Sequence, residues 1–313
     1  MLSNQLEHRL LSQLKLKHLQ LLVVLDEQRN ISRASKKLNM AQPAATKNIK
    51  SLETLLEMTL FKRSSRGVVP TLYGETLIKY AKLILAQVRH ASEELISLKN
   101  GSSGHLTIGT LLAASAILIP KALLAMKAER PDINITLIEG TNDKLMPALR
   151  VGEIDAVIGR LPEFREREGL KQHPLYEEPV SIVVRKGHPL LKYKQLELKD
   201  ISKHDWILPL SQTTLRRQIE SAFRNSSLEL PHNTIESISM LVNHKLLIET
   251  DMIAVMPFQA ISSYSDLACL PIQLEETKSC VGVTVRSQDF YSPTLQYFLD
   301  TLDEVLKADY KYD

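Results

Sequence analysis

The chain has 313 residues, 44% of them hydrophobic and 24% charged, the balance of a soluble globular protein with room for more than one domain. That balance excludes a disordered or fibrous chain, and the longest apolar run, LLAASAILIP (111–120), is half a membrane span and stops at Pro120-Lys121. Residues 1–99 hold 16 Lys and Arg against 8 Asp and Glu, a net +8; with a total of +3 the remainder carries −5, and a basic N-terminal third is the electrostatic footprint of a nucleic-acid partner.

The N-terminus, MLSNQLEHRLL, brings an acid early and lacks an apolar stretch followed by a small-residue cleavage site, so no secretory signal and no membrane partner is expected, and the expected compartment is the cytoplasm. Leu19, Leu22 and Val23 mark one face of a helix. Asn30-Ile31-Ser32 then offers a cap for a short helix that buries Ala34 and Leu38. Asn39-Met40-Ala41 reads as a three-residue turn into a helix over 41–56. On that helix Ala45, Ile49, Leu52 and Leu56 share one face, while Pro43, Thr46, Lys47, Lys50 and Thr54 share the other. Pro43 is tolerated in a first turn, where no backbone acceptor awaits its missing N–H. Such a start projects Gln42 and Pro43 from the helix end, the geometry of a helix whose first residues reach base edges in the major groove. Gln42 suits a bidentate base contact, Thr46 offers hydroxyl or methyl, and Lys47 and Lys50 suit phosphate or guanine. After Leu60-Phe61, KRSSRGVVP reads as a basic hairpin turning at Gly67.

From Tyr73 to Leu98 apolar residues recur at heptad spacing (Tyr73, Leu77, Tyr80, Ile84, Val88, Ala91, Leu95, Leu98), predicting one helix over 71–99, about 40 Å long. A stripe that long and narrow suggests a partner helix, most simply from a second copy of the chain; packing on the chain's own body is the alternative. NGSSG (100–104) is linker by composition. Beyond it, strands at 106–111, 133–140 and 155–161 alternate with helices ending near Glu129 and Val151, a βαβαβ pattern that predicts a parallel sheet. A second set follows, with strands at 179–184, 206–210, 252–256 and 267–272 and helices at 213–225 and 237–249. A strand at 280–286 and a helix at 294–307 close the chain, so two α/β lobes are expected.

Ligands of such sheets sit beyond the carboxyl ends of the strands. The loops there carry Thr110, Ser115, Thr141, Asn142, Gln212 and Thr213. Ser115 is expected to begin a helix, a place suited to an anion, although a hydroxyl there also serves as a plain cap. Cys269 and Cys280 fit no metal spacing and agree with a reducing compartment, with a redox pairing left open. GxSxG, HExxH, GxGxxG and Walker patterns are absent and the nine histidines are scattered, so neither catalysis nor a metal or cofactor is expected. An exported solute-binding protein would share the two lobes but would need a signal segment. A nonspecific architectural DNA binder would need no such body.

Residues 17–75 resemble the winged helix-turn-helix of LysR-type transcriptional regulators. The matching residues are Leu19, Ser32, Ala34, Leu38, Gln42-Pro43-Ala44, Ile49, Leu52-Glu53, Leu60-Phe61, Arg63, Arg66, Thr71 and Gly74-Glu75. QPAATK, PTLYGE and the extension before Leu16 resemble the branch containing regulators of galactose-binding-protein and protocatechuate genes. The resemblance implies a winged helix-turn-helix over 1–70 and a dimerising linker helix over 71–103. It further implies a two-lobe α/β effector domain over 104–313 like a type 2 periplasmic binding protein, lobe I being 104–175 and 281–313 and lobe II 176–280. It implies binding to operator DNA through 31–66, with Ser32, Arg33, Arg63 and Arg66 joining the helix residues. The other implied partners are a small organic effector between the lobes, a second copy as dimer or tetramer, and RNA polymerase. Two residues depart from the family pattern: Ala41 stands where serine is usual, and Glu57 where glycine is usual.

Overall fold

The computed structural model describes residues 2–65, 67–100, 104–161, 169–272, 274, 279–287 and 291–309. Arg66 therefore lies outside the described residues. The chain divides into two compact units, the first essentially residues 1–95 and the second essentially residues 96–313.

The first unit begins with α1 (Leu2–Gln13), α2 (Leu16–Gln28), α3 (Ile31–Lys37) and α4 (Gln42–Leu56). It continues with β1 (Phe61–Ser64), β2 (Gly67–Pro70) and the long α5 (Leu72–Asn100). Leu19, Leu22 and Leu25 of α2 interlock with Ala34, Ala45, Ile49, Leu52, Leu60, Ile78 and Ala81 in one apolar core. Asn30 caps α3 by accepting the Arg33 N–H at 3.0 Å, and Asn39 takes a left-handed φ of 52° in the turn before α4, a conformation asparagine tolerates. β1 and β2 form an antiparallel hairpin with Ser64 opposite Gly67. Gly67 has φ 100°, and a Cβ there would run into the carbonyl oxygen of Arg29, which accepts the Val68 N–H at 2.9 Å, so the wing lies directly on the end of α2. Glu53 of α4 accepts from the Leu60 and Phe61 N–H groups at 2.7 and 3.2 Å, tying the recognition helix to the first wing strand.

In the second unit, β3 (His105–Thr110), β4 (Asn134–Glu139), β5 (Ala156–Arg160), β6 (Leu170–Glu178) and β12 (Ser279–Arg286) make one five-stranded sheet in the order β4-β3-β5-β12-β6. β3 runs parallel to β4 and β5, and β12 antiparallel to β5 and β6. α6 (Leu112–Ser115), α7 (Leu118–Glu129), α8 (Asn142–Arg150) and α13 (Pro293–Asp309) belong to this lobe. Met126 of α7 and Phe298 and Leu302 of α13 share its core with Ile108 and Val283. The second sheet has β7 (Val180–Arg185), β8 (Trp206–Leu208), β9 (Thr234–Glu236), β10 (Ile253–Pro257) and β11 (Leu267–Cys269) in the order β11-β7-β10-β8-β9. Its helices are α9 (Leu198–Ile201), α10 (Thr214–Asn225), α11 (Met240–Glu249) and α12 (Phe258–Ser262). Trp206 packs edge-on against Phe223 of α10 at 5.6 Å and donates its indole N–H to the Ile201 carbonyl.

Three expectations change. β6 was not expected, because LKQHPLYEE carries a proline and charges. As an edge strand it needs no inward N–H from Pro174, and the β12 register shifts beside it at Val281/Gly282. β6 and β12 pair as far as Glu178 with Ser279, so the lobe boundaries fall near Pro179 and Ser279 rather than at 175/176 and 280/281. The single helix expected after β3 is two, and Ser115 ends the first instead of beginning a helix; its hydroxyl donates back to the Leu112 carbonyl at 3.2 Å.

Candidate functional sites

The first site is the exposed face of α4. Ala45, Ile49, Leu52 and Leu56 are buried, which leaves Gln42, Pro43, Thr46, Lys47 and Lys50 in solvent on the other face. The Thr46 hydroxyl donates to the Gln42 carbonyl at 3.1 Å, so it turns its methyl and a lone pair outward. Arg33 on α3 and Arg63 on β1 are exposed as well, while Ser32 is half-buried and its carbonyl accepts from Ser35. Three other basic side chains of this unit are matched: Lys37 with Glu27 at 2.6 Å, Arg29 with Asp26 at 2.8 Å, and Arg9 with Glu57 at 2.7 Å. Among the described residues no carboxylate pairs with Arg33, Lys47, Lys50 or Arg63. Their charge is thus available to an anionic partner.

Both departures from the family pattern sit at the ends of this helix. Ala41 holds the extended cap conformation without a side-chain hydrogen bond to the first turn. Glu57 takes a left-handed φ of 57°, where a Cβ costs roughly 1 kcal/mol or more and glycine costs nothing. Arg9 of α1 answers this by reaching both the Glu57 carboxylate and the Leu55 carbonyl, at 2.7 and 3.4 Å.

The second site is a cavity of about 90 Å³ in the C-terminal unit. Its walls come from strand ends in both sheets: Leu111, Glu139-Gly140, Arg160, Pro209 and Val255-Pro257. The starts of two helices join them, Thr141-Asn142 at α8 and Thr213-Thr214 at α10. Of the expected effector residues, Thr141, Asn142 and Thr213 line the cavity. Thr110 is buried beside it with its hydroxyl turned to the Leu111 carbonyl, and Ser115 and Gln212 are not part of the wall. Thr213 spends its hydroxyl as a cap, accepting from the Arg216 N–H and donating to the Leu210 carbonyl. By contrast Thr141 Oγ1, Asn142 Oδ1 and Asn243 Oδ1 are buried with no hydrogen-bond partner.

Arg160 and Asn243 were not anticipated from sequence. Arg160 ends β5, and its Nη1 donates to Gln218 of α10 at 3.2 Å. Burial pulls its guanidinium down to about 10, opposed by the nearby Glu178 and Tyr176, which still leaves it cationic at neutral pH. Burial pushes the Glu178 carboxyl up, against the hydrogen bond from the Gln259 N–H and the charge of Arg160. The other deeply buried arginine of this lobe, Arg286, is committed to the Leu149 and Ile154 carbonyls. A basic residue at a strand's carboxyl end was the available signal for Arg160; nothing in the sequence marks Asn243, which comes from the second turn of α11.

A winged helix-turn-helix with an uncompensated basic face, in a chain whose other unit is a two-lobe α/β body with a cavity walled by strand ends of both sheets, defines the class of effector-responsive DNA-binding regulators. Residues 16–75 match the bacterial regulatory helix-turn-helix protein, lysR family, and residues 99–307 match the LysR substrate binding domain. The chain belongs to the LysR family of transcriptional regulators. It is 38% identical over 245 residues to the HTH-type transcriptional regulator GbpR of Azospirillum brasilense, covering 78% of this chain and 72% of that one. It is 29% identical to the regulator PcaQ of Agrobacterium fabrum, over 93% of this chain and 94% of the other. The structure of full-length OxyR from Pseudomonas aeruginosa, a single-site variant, superposes with a TM-score of 0.67 at 23% identity, over 92% and 94% of the two chains. That likeness is one of fold. Among the described residues no helix is long and apolar enough to cross a membrane, and no three His, Cys, Asp or Glu cluster as metal ligands. Cys269 and Cys280 are free, on strands of different sheets.

Proposed function

We propose that this chain is a cytoplasmic, non-catalytic regulator that binds operator DNA as a dimer, reads it with Gln42, Thr46 and Lys47, and changes that binding when a small organic anion enters the C-terminal cavity. Lys50, Arg33, Arg63 and Arg66 hold phosphates in this reading. The observation that carries the anion is Arg160, a buried cation on the wall of a cavity that the starts of α8 and α10 also line. The reading needs no cofactor.

The dimer rests on α5. Ile78 and Ala81 face the core of the head, while Tyr73, Tyr80, Ile84, Val88 and Leu95 form an exposed apolar stripe along the rest of the helix. A second copy of α5 would cover it, and two heads so joined would meet two half-sites. GbpR and PcaQ are HTH-type transcriptional regulators by name, which agrees with a regulatory role rather than catalysis here. The test is fluorescence anisotropy of the full chain on DNA from its own promoter and on random DNA of equal length. Tight binding confined to the promoter DNA supports the proposal; equal affinity for both contradicts it.

A further inference from the structure

The DNA contact surface extends past α4 and the wing. We infer that the groove between the α1–α2 turn and α4 seats one of the two sugar-phosphate backbones that border the major groove, through Gln13, Lys15, Lys17 and His18. This rests on the reading of α4 as the helix that enters the major groove.

The groove is built by α1, which precedes the residues that match the family's helix-turn-helix. Leu6, Leu10 and Leu14 pack on the core of the head, and Arg9 reaches the Glu57 carboxylate and the Leu55 carbonyl at the end of α4. The turn after α1 is thereby held beside the polar face of α4. Gln13 and His18 line the groove from one side, and Lys47, Lys50, Ser51 and Thr54 of α4 from the other.

Charge identifies the occupant. Lys15, Lys17, Lys47 and Lys50 are exposed, and among the described residues none of them pairs with a carboxylate. Burial, and then the charges of Lys17 and Lys15, hold the His18 imidazole below its usual value, which places those two charges at the groove. The Lys15 N–H donates to His18 Nδ1 at 3.3 Å, so the neutral ring carries its proton on Nε2, a donor for a phosphate oxygen. Gln13 adds an amide donor. Lysines scattered over a surface would mean little. These continue a face whose Lys47 and Lys50 already meet DNA in the reading above, so the same duplex lies within reach. A protein partner would call for an apolar patch, whereas the exposed lining here is Gln, Lys, Ser and Thr.

Spacing agrees. The wing lies on the C-terminal end of α2, where the Val68 N–H meets the Arg29 carbonyl, and the groove lies at its N-terminal end. α2 has 13 residues, so its two ends stand about 20 Å apart. That distance spans a major groove about 12 Å wide together with the backbones on its two sides. The wing with Arg63 meets one backbone, and the groove meets the other.

Fluorescence anisotropy of the full-length protein on promoter and random DNA, over a range of salt, tests this with Lys15→Ala plus Lys17→Ala and, separately, with Gln13→Glu. The double variant should lose roughly tenfold in affinity for both DNAs at physiological salt, and its log–log salt slope should become shallower by about two units for each bound head. Gln13→Glu sets a carboxylate in the groove and should weaken binding to both DNAs as well. Unchanged thermal unfolding verifies that the variants are folded, since all three positions are exposed. Lys47→Ala, run beside them, reports on the α4 reading alone. Unchanged affinity and slope in both groove variants, with Lys47→Ala impaired, would overturn the groove assignment and leave the α4 reading standing. Unchanged affinity in all of them would overturn both. Promoter activity lost from the double variant at unchanged DNA affinity would give the groove to a protein partner and overturn the inference.

Discussion

On α4 the polar side chains stand in water above a sealed apolar core, whereas at the cavity the polar side chains are sealed in and the surrounding surface is apolar. Gln42, Lys47 and Lys50 are exposed, and none is held by another side chain. Arg160, Thr141 and Asn243 are buried, and what they touch decides their energy. The contrast shows two ways of building a site from the same inventory. An exposed basic face acts through charge at long range, costs little to maintain and is weakened by salt. A buried polar wall acts at contact range, and each group left unmatched costs on the order of 1–3 kcal/mol, so it selects sharply.

The largest effect tests how the exposed site is doubled. Ile84 and Val88 are 41% and 44% exposed in the single chain, so Ile84→Glu with Val88→Glu leaves each chain folded but places unpaired charges in the shared seam. Sedimentation should show monomers, and promoter affinity should fall by several kcal/mol as two half-sites lose their linkage. An unchanged dimer would place the interface elsewhere.

Next come the residues of the exposed face. Gln42→Ala, Thr46→Ala or Lys47→Ala should each cost about 1–3 kcal/mol on promoter DNA and much less on random DNA. Lys50→Ala and Arg63→Ala should lower affinity for both DNAs and make the salt dependence shallower by about one unit in log–log slope. Equal losses on both DNAs for the first group would merge it with the second.

How far each site was legible follows from the same contrast. The helix-turn-helix is local in sequence: periodicity separates Ala45, Ile49 and Leu52 from Thr46, Lys47 and Lys50, and the exposed set follows without knowing the fold. The cavity is assembled from strand ends and helix starts spread over residues 111–257. The rule that ligands sit beyond strand ends led to Thr141, Asn142 and Thr213, but it could not rank them. It assigned a ligand to Thr213, whose hydroxyl is a helix cap, and to Ser115, whose helix ends where one was expected to begin. Arg160 went unnoticed because its burial depends on β12 beside it and α10 across from it. β6 was hidden by Pro174, which only an edge position permits.

Smaller effects concern the ends of α4. Ala41→Ser should restore a first-turn cap and raise the stability of the head by about 1 kcal/mol in urea denaturation. Glu57→Gly should relieve the left-handed strain at the cost of the Arg9 ion pair, which is exposed and contributes no more than about 1 kcal/mol. A net gain is expected, and a loss would show that α1 steadies the recognition helix more than its contacts suggest.

The smallest is a pH effect. Burial, then the nearby Lys17 and Lys15, hold the His18 imidazole below its usual 6.5. The unfolded chain therefore takes up this proton more readily than the folded one, so stability is unaffected above 6.5 and declines as pH falls below it. His18→Gln should lose less stability than the parent between about pH 7 and pH 5, by thermal unfolding.

The account rests on the buried site governing the exposed one, and one measurement addresses that directly: promoter affinity of the full-length protein with and without a small organic acid that calorimetry shows to bind it, for the parent chain and for Arg160→Gln. The account predicts that the acid shifts the affinity of the parent and has no effect on Arg160→Gln, with the two proteins binding promoter DNA alike in its absence. An equal shift in both would contradict it.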